Sequence, residues 1–245
     1  MNFAFVISFL AGISTLLGVV PLFIKFKNTN KVIGCSLSFA SGVMISVSLL
    51  DLIPTSIIGL NQFFYPLLSI ALVILFLTIG IIISTFINKV LPSNYDNKLY
   101  KVGIFSMIAI ILHNIPEGIA TFLTTSNNTK LGISLALAIA LHNIPEGISI
   151  SVPIYFSKNS KILAICYTFI SGISEFFGAV IAFAFLKNIN INYFLNFLYS
   201  IIAGIMILLS IEELLPNAYN YCKGKYIIIF FIIGILLMGI VHFVI

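Results

Sequence analysis

The chain has 245 residues, 60% of them hydrophobic and only 8% charged, with a mean hydropathy of +1.19. A soluble domain carries roughly a quarter charged residues, so a water-facing globular protein is excluded, and the hydrophobicity excludes a disordered chain. An all-α polytopic membrane protein remains, and its net charge of +5 comes from lysines scattered in short loops, which is no footprint for a nucleic acid.

Runs long enough for a bilayer core, about 20 apolar residues each, occur eight times. They lie near 3–24, 33–53, 63–88, 102–124, 131–156, 162–186, 193–215 and 226–244. The breaks between them are short and carry Lys, Asn and Pro, so the whole of 1–245 reads as a single transmembrane domain. The first run lacks a basic leading region and a small-residue cleavage site, and it reads as a retained span. Cys35, Cys166 and Cys222 have no metal-ligand spacing and read as small apolar side chains.

The loops after spans 1, 3, 5 and 7 hold ten of the twelve lysines; Lys130 and Lys187 alone fall on the other side. The positive-inside rule then predicts a multi-pass protein of the cell (inner or plasma) membrane with both termini extracytoplasmic.

Of seven acids, only Asp96 sits in a loop. Asp51 lies near the outer end of span 2, and Glu212 and Glu213 near the inner end of span 7. Glu117, Glu146 and Glu175 lie near the middle of spans 4, 5 and 6. A charge at mid-bilayer costs at least ~2.5–3.5 kcal/mol, so three such groups face a watery path, carry protons or bind cations. The blander reading, carboxyls locking helices together by hydrogen bonds, suits one isolated Glu better than three beside histidines.

Spans 4 and 5 carry the same hexapeptide, His113-Asn114-Ile115-Pro116-Glu117-Gly118 and His142-Asn143-Ile144-Pro145-Glu146-Gly147, 29 residues apart. On antiparallel neighbours the two copies can face each other across a local two-fold axis, as in inverted-repeat transporters with a midplane site. In a helix the His at i and Glu at i+4 share a face, and the Asn sits three residues before that Glu. The proline is expected to kink each helix and free a carbonyl near Leu112 or Leu141; the following glycine admits a close neighbour. Imidazole with carboxylate suits Zn²⁺, Fe²⁺ or Mn²⁺, and this set can hold one metal, or two with bridging carboxylates. Glu175 adds a further carboxylate. Met44 is central in span 2, on the same helical face as Asp51, and on its own reads as core packing. His242, at the outer end of span 8, reads as interfacial rather than as a ligand.

These motifs resemble the ZIP family of divalent-metal transporters, and above all its bacterial ZupT-type members. Phe39-Ala40-Ser41-Gly42-Val43-Met44, Ser171-Gly172-Ile173-Ser174-Glu175 and Glu213-Leu214-Leu215-Pro216 are similar to further family stretches. The resemblance implies eight helices in a 3+2+3 inverted-repeat bundle and, in many members, a homodimer. It implies a binuclear centre: one metal on His113, Glu117, His142 and Glu146 with Met44, the second on Asn114, Asn143 and Glu175, with Glu117 and Glu146 bridging. It implies uptake of zinc, and also iron, manganese or cobalt, past Asp51 at the entrance and Glu212 and Glu213 at the exit. The loop from Lys89 to Lys101 has no histidine, unlike the histidine-rich loop of many relatives, and Glu212-Glu213 stands where some carry His-Glu. Two rival readings are a membrane-embedded metallohydrolase, which would need an activated water, and a proton-coupled carrier of an organic solute. The chain has no HExxH, and the identical His/Glu clusters suit a metal better than a proton relay.

Overall fold

The computed structural model describes residues 2–92, 97–186 and 192–244; Asp96 and Lys187 lie outside them. The described residues form helices and short connections, with no strand among them. Among the described residues, eight helices are long and apolar enough to cross a membrane: α1 (Asn2–Phe23), α2 (Thr29–Leu60), α3 (Pro66–Val90), α4 (Lys98–Asn127), α5 (Thr129–Lys158), α6 (Lys161–Phe185), α7 (Phe194–Tyr221) and α8 (Gly224–Val244). Helices suit this role because oil offers no partner for a free backbone N–H or C=O.

The polar breaks in the sequence become helix caps. Asn28, Asn97, Asn128 and Ser160 each accept a backbone N–H from the first turn that follows, at 2.9–3.2 Å. Asn128 alone separates α4 from α5. Asn159 ends α5 in the left-handed region at φ 50°, a conformation asparagine tolerates.

Two helices run further than their apolar spans suggest. Past 53, α2 continues through Pro54 to Leu60; past 215, α7 continues through Pro216 to Tyr221. In both, the turn before the proline is widened: the Ile53 N–H donates to the Ser48 carbonyl and the Leu215 N–H to the Ser210 carbonyl, each five residues back. A wide turn absorbs the clash of the proline ring with the preceding carbonyl, so the helix bends without ending. It also shifts the helix phase, and Met44 is buried while Asp51 is exposed. Ser48, Asp51, Leu52 and Pro54 thus match Ser210, Glu213, Leu214 and Pro216, 162 residues on, in sequence and in local geometry.

The helices sort into two bundles, α1, α4, α5 and α6 in one and α2, α3, α7 and α8 in the other, joined chiefly where α2 meets α5. Glycines let backbones touch at the crossings: Gly42 and Gly234 between α2 and α8, Gly80 and Gly204 between α3 and α7, Gly18 and Gly147 between α1 and α5, Gly118 and Gly178 between α4 and α6. Hydroxyls add cross-helix bonds to carbonyls, among them Ser38 Oγ to Ile227 O at 2.6 Å and Ser151 Oγ to Gly18 O at 2.7 Å.

Candidate metal centre

The two hexapeptides meet inside the first bundle. Both helices run unbroken through Pro116 and Pro145, and His113, Asn114, Glu117, His142, Asn143, Glu146 and Glu175 are all buried. The pairing is reciprocal across the α4–α5 contact. His113 Nε2 lies 3.2 Å from Glu117 Oε1 on its own helix and 3.3 Å from Glu146 Oε1 on the other. His142 Nε2 lies 3.1 Å from Glu117 Oε1, and the two imidazole centroids are 5.8 Å apart. Ligand atoms of His113, His142 and Glu146 all fall within 4.8 Å of one another, a span one metal ion can bridge.

Glu175 enters from α6. Asn143 Nδ2 donates to Glu175 Oε2 and to the Ala11 carbonyl of α1, both at 3.0 Å. Asn114 Nδ2 donates to the Ser171 carbonyl of α6, also at 3.0 Å. Each asparagine thereby commits its amide nitrogen to a backbone carbonyl and leaves its Oδ1 free.

The cluster is under-satisfied, which buried polar groups rarely are. His113 Nε2, Asn114 Oδ1, Glu117 Oε2, Asn143 Oδ1, Glu146 Oε2 and Glu175 Oε1 are buried with no hydrogen-bond partner. His113 Nε2 is close to two carboxylates yet makes no well-angled hydrogen bond to either. Nitrogen and oxygen donors held dry and unpaired, with three carboxylates among them, fit a divalent cation.

Asp51 is exposed and accepts a hydrogen bond from Thr55 Oγ1 at 3.3 Å. It lines two cavities that lead toward the cluster. One, of about 290 Å³, reaches His142 and is also lined by His242 of α8. The other, of about 130 Å³, reaches Glu117 past the half-buried Tyr199 of α7. On α7, Glu212 is exposed, while half-buried Glu213 accepts a 2.7 Å bond from Asn88 of α3. Met44 of α2 is buried in the largest apolar cluster among the described residues.

The sequence reading missed Ala11 and Gly12 of α1, Tyr199 and Asn88. A Cβ on Gly12 would run into the Gly172 carbonyl and the Glu175 side chain, so this glycine makes room for Glu175. The one sequence signal for it is spacing: Gly12 and Gly18 on α1 mirror Gly172 and Gly178 on α6.

The family described as ZIP Zinc transporter matches residues 94–242. The chain is 38% identical to "Zinc transporter ZupT" of Streptococcus mutans, over 97% of this chain and 95% of that one. It is 34% identical to the Clostridium perfringens protein of the same name, over 97% and 94%, and 37% identical to that of Lysinibacillus sphaericus, over 89% and 88%. Likeness over nearly the full length, together with twin hexapeptides folded into one buried cluster, makes this chain a member of the ZIP zinc transporter family.

Proposed function

We propose that the protein carries divalent metal ions, zinc foremost, across the membrane into the cytoplasm through the cluster between α4, α5 and α6. One observation carries this reading: ligand atoms of His113, His142 and Glu146 lie within 4.8 Å of one another in a buried site where no lysine among the described residues pairs with the carboxylates. A metal supplies the missing charge and the missing partners together. The relatives bear the name of zinc transporters, which supports zinc as cargo; the same donors accept iron, manganese and cobalt.

One ion takes His113, Glu117, His142 and Glu146, with Met44 as a thioether donor from α2. A second takes Asn114, Asn143 and Glu175, with Glu117 and Glu146 bridging. The free Oδ1 atoms of both asparagines support this second position. Asp51 draws the hydrated ion toward the cavities by its charge. Imidazole and carboxylate then replace water, and the ion leaves toward Glu212 and Glu213.

The chain forms one transport domain in which α1–α3 and α6–α8 are inverted copies around α4 and α5. The matched wide turns of α2 and α7 support it, as do the glycine crossings, which map α2–α8 onto α3–α7 and α1–α5 onto α6–α4. The lysine bias supports termini on the outer side.

The test is accumulation of radioactive zinc by proteoliposomes. Uptake that is lost in Glu117→Ala and His142→Ala at unchanged protein level supports the reading. Wild-type vesicles no leakier to zinc, iron or manganese than empty ones would overturn it.

A further inference from the structure

An apolar cleft of about 490 Å³ opens where the two bundles part, with no residue of the His/Glu cluster in its lining. Pro21 and Ile148 form one wall, from the bundle that holds α1 and α5; Phe39, Phe230 and Ile233 form the other, from α2 and α8. The volume is in the range of small-molecule sites, roughly 300–1,000 Å³. Ile233 is 44% exposed, so the cleft opens sideways to oil rather than into the protein. At its rim stand Lys27 and Lys31, on the lysine-rich face of the chain. No carboxylate pairs with either lysine among the described residues. Lys31 Nζ rests 3.7 Å above the Tyr226 ring, which fixes the ammonium at the depth where tyrosines anchor in headgroups.

An apolar slot between helices with two ammonium groups at its mouth, neither paired with a carboxylate among the described residues, has the chemistry of one ligand class. We propose that the cleft holds one anionic glycerophospholipid, an acyl chain between the bundles and its phosphate on Lys27 and Lys31. The walls take a hydrocarbon tail; the lysines select a net negative headgroup over a zwitterionic one, since each basic side chain near a membrane surface favours anionic lipid. The tail wedges α1 and α5 apart from α2 and α8, so the lipid bears on any movement between the bundles. The site is independent of the metal reading.

The experiment is native mass spectrometry of protein taken from vesicles of equal phosphatidylglycerol and phosphatidylcholine. The expected result is one phosphatidylglycerol retained in preference to phosphatidylcholine. That preference should fall about fivefold for each of Lys27→Gln and Lys31→Gln. Lys89→Gln with Lys98→Gln, on the same face but away from the cleft, should leave it unchanged. Ser36→Phe, which fills the cleft, should lower retention of both lipids. The proposal is overturned if the Lys27/Lys31 pair retains lipid as wild type does, or if the control pair loses as much. It is also overturned if glycerol 3-phosphate displaces the lipid, which would make the site one for phosphate alone, or if a second copy of the chain occupies the face.

Discussion

His113 of α4 stands 3.3 Å from Glu146 of α5, and His142 of α5 stands 3.1 Å from Glu117 of α4. Each helix thus supplies the acid that faces the other helix's base, and neither motif copy is complete by itself. Groups that act as one unit do not contribute additively. Outer-shell partners of metal ligands already cost 10–100-fold when removed, so Glu117→Ala or His142→Ala should each lower zinc uptake by at least about 100-fold. The double variant should be no worse than either single one. Proteoliposome uptake of all three proteins measures this, and multiplying effects would mean two separate sites.

Glu175 depends on a residue that ligates nothing. Gly12 of α1 lies against the Gly172 carbonyl and the Glu175 side chain, with no room for a Cβ. Gly12→Val should push α1 off α6, displace Glu175 from Asn143, and destabilise the protein by about 1–3 kcal/mol. Gly239 of α8 has open space where a Cβ would go, and Gly239→Ala should be neutral. Thermal unfolding in detergent, with and without zinc, checks both. The zinc-induced rise in Tm should shrink for Gly12→Val and persist for Gly239→Ala.

The twin motif is legible in the sequence because six identical residues recur at mid-span on neighbouring helices, and acids are rare enough in oil to stand out. Its partners on other helices are not. Ala11 answers Asn143 through a backbone carbonyl, which any residue carries, across 132 positions of chain. Asn88 answers Glu213 across 125 positions, and neither belongs to a local pattern. The ends of α2 and α7 are hidden for a different reason. Proline normally reads as a stop, and the wide turns that let Pro54 and Pro216 stay helical depend on backbone geometry that no residue type specifies.

The proposed role of Asp51 in capture, apart from binding, can be tested. This residue borders both cavities, yet the cluster beyond it is complete without its carboxylate. Asp51→Asn keeps the size of the side chain and removes its charge. The variant should raise KM for zinc several-fold with little change in maximal rate, because only local attraction is lost. Its uptake should also depend less on ionic strength, since salt screens a field that is no longer there. Initial rates at low and high salt test this; a fall in maximal rate at unchanged KM would move Asp51 into the binding site itself.

Protons and metal compete for the same atoms. Imidazole binds a metal only when neutral at the ligating nitrogen, and carboxylate only when ionised, so the cluster must shed protons to take zinc. Lowering the pH therefore weakens binding, and zinc uptake should fall monotonically on acidification at a fixed zinc concentration. Raising the zinc concentration should restore part of the rate, as expected for competition. Zinc added to weakly buffered protein should release protons, and His142→Ala should release fewer. Dye-reported proton release read beside a pH series of uptake tests both halves. Uptake that climbs as the outside is acidified would assign the glutamates to proton-driven transport and leave the competition with no role.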